Sequence, residues 1–180
     1  MDKGLQELID KSKKGDKDAY GGIYKIYVKK IYRFIYYMVY ERELAEDLTQ
    51  MVFIKTWVSL HSYDETKGTL QSYLFAIARN LAIDYKRRKR EISLENIAEP
   101  ASNHEADEEI LREEQRDLVA ELFKYLDYEE KQLIIFRYFE ELKFIEIADI
   151  LKQKEGAIRV KLHRILKKLR EKIKGGNYGY

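Results

Sequence analysis

"LKFIEIADILKQKEGAIRVKLHRILKKLREKI", residues 142–173, decides the fold. Ile147, Ala148 and Leu151 recur at helical spacing and make a short apolar edge. A polar break follows at Lys152, Gln153 and Lys154. Then Ile158, Leu162, Ile165, Leu169 and Ile173 form a second stripe at three- and four-residue intervals. Apolar residues at that period give a helix one buried face. Two such helices joined by about four residues resemble a helix-turn-helix. The second helix turns Val160, His163, Arg164 and Lys167 away from its stripe, flanked by Arg159, Lys161 and Lys168. These side chains suit a DNA major groove. Arginine reads guanine edges with two hydrogen bonds, a small apolar group meets the thymine methyl, and lysine holds phosphates. A merely solvated cationic face is the plain alternative, and the short helix and turn ahead of it favour DNA.

Charge is segregated along the chain. The net charge over 180 residues is only +2. Residues 91–117 nevertheless hold ten acidic and two basic side chains, and residues 154–174 hold nine basic and two acidic. Such blocks mark separate modules or a polyanion-binding surface. A hydrophobic content of 45% supports a packed core, and a charged content of 37% points to helices with solvated faces. Cysteine is absent, which removes disulfides and cysteine-based zinc sites and fits a reducing compartment. The most apolar run, Ile31 to Tyr40, is too short for a membrane span and contains Arg33. His61, His104 and His163 are scattered, and no glycine-rich phosphate loop occurs. No metal, cofactor or catalytic centre is therefore expected.

The upstream half reads as helices joined by short turns. "RELAEDLTQMVFIKTWVSL", residues 42–60, places Leu44, Leu48, Met51 and Val58 on one apolar face, with Phe53 and Trp57 nearly opposite. A helix apolar on two sides is sandwiched in a core or docks on a partner. The sandwich suits the two aromatics, whereas Asp47, Gln50 and Ile54 suit an interface. After the turn-like "HSYDETKGT", residues 61–69, comes "LQSYLFAIARNLAIDYKRRKR", residues 70–90. Its expected core stripe is Leu70, Leu74, Ile77, Leu81 and Tyr85, with Phe75 on the far side. It ends in five consecutive cations, Lys86 to Arg90, which a core cannot use. The fold class expected is all-α, in two small helical domains joined by a flexible acidic linker. The boundaries read are 1–90 for the first domain, 91–109 for the linker, 110–174 for the helix-turn-helix domain and 175–180 for a loose tail.

These three motifs, in this order, resemble a bacterial RNA polymerase sigma factor of the extracytoplasmic-function group. The resemblance covers roughly residues 15–90 and 110–173. It implies a promoter-melting domain that binds the polymerase clamp and the minus-ten element, and a second domain that binds the polymerase flap and the minus-thirty-five element. Asp47, Gln50, Met51 and Ile54 fall in the clamp-binding segment. Tyr63, Asp64 and Lys67 lie in the loop that captures a base flipped from the non-template strand. Asn80, Asp84, Arg87 and Arg88 match the helix along the minus-ten region. Arg159, Val160, Lys161, His163, Arg164, Lys167 and Lys168 match the minus-thirty-five reader. The partners implied are core RNA polymerase, promoter DNA and an anti-sigma factor, in the bacterial cytoplasm and without membrane insertion.

The sequence departs from the family pattern at several places. Met51 stands where glutamate is common, and Leu70 and Tyr73 stand where an aromatic residue and tryptophan are. The turn has Lys152, Gln153 and Lys154 in place of a glycine, a hydrophobe and a capping serine. Lysine offers no acceptor to free amides and puts positive charge at the positive end of the following helix. A looser turn or a later helix start is therefore expected. The rival function is a stand-alone helix-turn-helix regulator with a helical sensing domain, which would bind duplex DNA without polymerase.

Overall fold

The computed structural model describes residues 3–95, 119 and 121–175, which form helices joined by turns and short connections. The chain divides into two compact units, Met1–His104 and Glu105–Tyr180. The expected linker beyond Glu95, the second domain up to residue 118 and the tail from residue 176 lie outside the described residues, as does the side chain of Arg90.

The first unit contains α1 (Lys3–Lys13), α2 (Lys17–Val39), α3 (Arg42–Ser59) and α4 (Leu70–Glu95). Two single 3-10 turns, Leu60–Ser62 and Glu65–Lys67, join α3 to α4. Helix α2 packs against α1, α3 and α4. It starts at Asp16, whose carboxylate accepts the Asp18 amide at 2.9 Å and the Ala19 amide at 3.0 Å. Replacing such a cap by alanine costs about 1 kcal/mol. Gly15 supplies the left-handed turn before it, at φ +92°. Ile23, Tyr27, Ile31, Phe34 and Ile35 give α2 a buried stripe. Gly22 keeps α1 close, since a Cβ there would sit 3.0 Å from a Leu8 methyl.

Two expected faces are rotated in the structure. On α3 the buried residues are Ala45, Leu48, Thr49, Val52, Phe53 and Thr56, whereas Met51 and Val58 are exposed. The threonines occupy the core because their hydroxyls bond back to the Ala45 carbonyl at 2.6 Å and the Val52 carbonyl at 2.8 Å. That internal satisfaction removes the cost of burying them. On α4 the core residues are Leu70, Leu74, Phe75, Ala78 and Ala82. Phe75 is not on a far side but fully buried, packed edge-on against Phe34 with ring centroids 5.6 Å apart. Ala78 and Ala82 take core positions on this helix, and Ile77 and Leu81 are half-exposed.

The second unit contains α5 (Tyr128–Ile134), α6 (Phe144–Leu151) and α7 (Glu155–Gly175). A π-helical segment, Ile135–Phe139, continues α5. Asp127 and Glu130 form a reciprocal cap at the start of α5, each carboxylate accepting the other's amide at 2.9 Å. At α6 the cap is one-sided: the Glu146 carboxylate accepts the Lys143 amide at 2.8 Å. Phe136, Leu142, Ile147, Leu151, Ile158, Leu162 and Ile165 make the core. Ile173, expected on the same stripe, is exposed beyond the end of that core.

The turn between α6 and α7 is closed rather than loose. Lys152 adopts the left-handed conformation, φ 55° and ψ 43°. The Ala148 carbonyl accepts the amides of both Lys152 and Gln153, the second at 3.0 Å. This is the geometry that glycine usually supplies at a helix end. Helix α7 begins at Glu155 without delay, because the Lys154 carbonyl accepts the Ile158 amide at 3.2 Å.

Candidate nucleic-acid interface

The outward side chains of α7 sort into three groups. Val160, His163, Arg164 and Lys167 are exposed. Lys161 and Lys168 instead reach back to α5, with ammonium groups 3.0 Å from Glu129 and 2.7 Å from Glu130. The acidic first turn of α5 thus takes two of the seven residues expected to face DNA. Arg159 forms the third group. Its Nε donates to Glu155 at 3.1 Å, and its guanidinium lies 4.2 Å from the centroid of the Phe144 ring.

In the first unit, Asp47, Gln50, Met51, Ile54 and Val58 are exposed on one stripe of α3. Ile54 and Val58 are 63% and 66% exposed. Large aliphatics left in water beside polar groups mark a partner surface more than a fold requirement. The stripe runs into a groove of about 430 Å³ between α3 and α4, lined by Ile54, Val58, Tyr73, Ile77, Asn80, Leu81 and Asp84 among others. Phe53 and Trp57 face inward onto α2, against Tyr24 at 4.7 Å and Tyr20 at 4.9 Å respectively. Asn80, Asp84, Arg87 and Arg88 share one side of α4, with Arg87 bonded to Asp84 at 3.2 Å. The side chains of Lys86 to Lys89 are exposed.

The loop Leu60–Thr69 is internally braced. Tyr63 is 6% exposed, and its hydroxyl donates to the Gly68 carbonyl at 2.9 Å. Its ring packs on Tyr73 at 5.4 Å and under the Lys13 ammonium at 5.2 Å. Burial pushes its hydroxyl up to about 12. Asp64 caps the following turn, accepting the Thr66 amide at 3.0 Å and the Thr66 hydroxyl at 2.7 Å. These bonds to Thr66, chiefly the hydroxyl, hold its carboxyl below the usual carboxylate range, with the Lys67 charge adding to them. Lys67, 3.5 Å from Asp64, is largely exposed. The three residues expected in one role therefore divide: Tyr63 anchors, Asp64 caps, and Lys67 projects into solvent.

Sequence reasoning overlooked Phe144, Glu155, Glu129 and Glu130. The four-residue spacing of Glu155 and Arg159 was a readable signal for an intrahelical pair. The contacts from α5 and α6 to α7 are tertiary and have no sequence signature. Among the described residues there is no cluster of histidine and carboxylate groups able to hold a metal, and no helix is long and apolar enough to cross a membrane.

A helical unit with an exposed, partly apolar stripe, joined in one chain to a helix-turn-helix unit, defines a DNA-binding transcription factor of two modules. Residues 23–92 match sigma-70 region 2, and residues 116–169 match sigma-70 region 4. The chain belongs to the sigma factors of the extracytoplasmic-function group, transcription initiation factors that direct RNA polymerase to promoters. It is 29% identical over 186 residues to the ECF RNA polymerase sigma factor SigW of Bacillus subtilis, covering 97% of this chain and 99% of that protein. It is also 29% identical over 157 residues to SigX of the same organism, covering 83% and 80%. The fold is shared with CnrH, solved in complex with the cytosolic domain of CnrY, at TM-score 0.74 and 18% identity over 97% of this chain and 99% of that one. It is shared equally with RpoE of Bartonella quintana, solved in complex with the anti-sigma factor NepR, at TM-score 0.74 and 20% identity over 90% and 100%.

Proposed function

We propose that the α3 stripe Asp47–Gln50–Met51–Ile54 is the surface by which this sigma factor holds the polymerase clamp. The exposure of Ile54 and Val58 beside polar Asp47 and Gln50 carries this reading. Asn80, Asp84, Arg87 and Arg88 on α4, with Lys67 in the loop, then meet the minus-ten strand. On α7, Arg159, Val160, His163, Arg164 and Lys167 meet the minus-thirty-five duplex. Lys161 and Lys168 leave that set for a structural role. The domain limits proposed are 1–90 for the melting unit and 110–174 for the reader, joined by the linker 91–109.

The action requires no catalytic step by this chain. Melting follows if unpaired bases bind better than the duplex. Each stacked base returns about 1–3 kcal/mol, against an unpairing cost of a few kcal/mol. An anti-sigma partner fits the same picture, because a groove with half-exposed Ile77 and Leu81 beside the clamp stripe offers a surface that such a protein could cover. The chain would act in the bacterial cytoplasm, where polymerase and promoter meet. Run-off transcription from a promoter library, with core polymerase and with or without this chain, tests the reading. Start sites that appear only with the chain support it. Specific duplex binding that needs no polymerase, with no new transcripts, would instead indicate a stand-alone regulator.

A further inference from the structure

We propose that Phe144 and Glu155 are positioning residues that fix Arg159 in one orientation, so that it reads a single guanine. The inference rests on the reading of α7 as the groove helix. Two groups hold the Arg159 guanidinium. Glu155 Oε1 accepts from Nε at 3.1 Å and also from Nη2. These two donors form the side edge of the guanidinium. A planar guanidinium has five N–H groups in a fixed fork, so the opposite, end-on pair stays uncommitted. The Arg159 guanidinium carbon lies over the Phe144 ring, 4.2 Å from its centroid. A cation held over a ring face is attracted without a carboxylate or carbonyl acceptor.

The ring is itself held in place. The Arg137 guanidinium lies 4.8 Å from the same Phe144 centroid. Arg137 Nη1 donates to the Leu142 carbonyl at 3.0 Å, which ties it to the backbone just ahead of α6. A continuous set of contacts therefore runs from the Leu142 carbonyl through Arg137, Phe144 and Arg159 to Glu155. Its end is a side chain in the second turn of α7, where recognition helices meet base edges. The free end-on fork matches the O6 and N7 acceptors of guanine, and no other base presents two acceptors there.

Glu155 has a cost that makes its presence informative. A carboxylate at a DNA face repels phosphate and lowers affinity for every sequence. It is placed where it reduces general binding while orienting the reader. Removing it should therefore move affinity and preference in opposite directions, a signature that loss of folding does not produce.

The test uses the full chain with bacterial core polymerase and a promoter library randomised across the upstream element. Bound sequences and salt dependence are read for each variant. Arg159→Ala should lower guanine preference at one position by about tenfold or more. Phe144→Leu should lower it about two- to fivefold, and Phe144→Tyr, which keeps a ring, should restore it. Glu155→Ala should lower the same preference while raising binding to all sequences. If Arg159→Ala removes the preference but Phe144→Leu and Glu155→Ala both leave it at full strength, the positioning role is wrong and the groove reading stands. If Arg159→Ala leaves every position unchanged, Arg159 is not a reader and the proposal falls with it. Glu155 is on the surface, so its variant remains informative should Phe144→Leu unfold.

Discussion

Lys168 donates from Nζ to Glu130 Oε2 at 2.7 Å, and that same oxygen accepts the Asp127 amide at 2.9 Å. One carboxylate therefore caps α5 and holds α7 against it. Lys161 repeats the contact about two helical turns earlier, through Glu129 at 3.0 Å. Two acidic residues of α5 thus brace α7 through ion pairs.

This arrangement separates two adjacent lysines. Lys167 is exposed, and its loss should lower the salt slope of promoter binding by about one unit. Loss of Lys168 should leave the slope unchanged and lower the unfolding free energy of the second unit by about 0.2–1 kcal/mol, as for a partly exposed ion pair. Binding titrations at several salt concentrations, run beside thermal unfolding of each alanine variant, check the pair. Equal slopes for Lys167→Ala and Lys168→Ala would return Lys168 to the phosphate contacts.

The proposed clamp surface gives the second prediction. Ile54 is 63% exposed, so its truncation removes almost nothing from the core. Gln50→Ala combined with Ile54→Ala should weaken core-polymerase binding by at least tenfold, as central contacts of an interface do, with helicity and melting unchanged. Val52→Ala is the contrast. Val52 is fully buried, and its loss should cost stability by a core-truncation mechanism. A pull-down in which the folded double variant binds as well as the parent would show that the polymerase uses another face.

The braced loop gives a pH dependence. Tyr63 is shifted from an ordinary value of 10.0 to about 12, chiefly by burial, so the folded loop favours the protonated phenol. Its contribution is complete below about pH 10 and is lost as pH rises through about 12. Asp64 is depressed and acts in the opposite sense. Its contribution is present above the ordinary carboxylate range and is lost as pH falls through its lowered value. Tyr63→Phe should cost about 1 kcal/mol at neutral pH through the lost bond to Gly68, and should reduce the alkaline loss of stability. Tyr20 is also raised by burial, so part of the alkaline loss will remain. Unfolding midpoints from pH 7 to 12 for parent and variant provide the measurement.

The helices were legible because their apolar residues repeat at helical spacing, and the recognition helix was legible because its cations fall opposite that stripe. Face assignment failed where small or hydroxylated residues form the contact. Ala78 and Ala82 on α4, and Thr49 and Thr56 on α3, carry little hydrophobic weight yet occupy the core. Pattern reading rewards large aliphatics, so it put Ile77 and Leu81 inside. Close helix approach prefers alanine, and a threonine that bonds its own helix loses little on burial. The exposure of most of the expected site residues was readable from their place on a helix face. Their partners were not, because Glu129, Glu130 and Phe144 reach α7 only through tertiary packing.

The turn of the helix-turn-helix carries the last prediction. Lys152 sits at φ 55°, a conformation that costs a residue with a Cβ about 1–2 kcal/mol. Its side chain is exposed, so the lysine can be replaced without loss of packing. Lys152→Gly should relieve the strain. Glycine also loses more chain entropy on folding, about 0.5–1 kcal/mol relative to alanine, so the net gain should be up to about 1 kcal/mol. For a unit of this size that corresponds to about 4–8 °C in melting temperature per kcal/mol. Lys152→Val should act the other way, because β-branching worsens the left-handed strain. The amides of Lys152 and Gln153 both bond the Ala148 carbonyl, so neither variant should shift the start of α7 or alter promoter preference. Thermal unfolding and the bound-sequence profile together decide it. A glycine variant less stable than the parent, or one with a changed sequence preference, would mean that the lysine side chain helps to set the geometry of the turn.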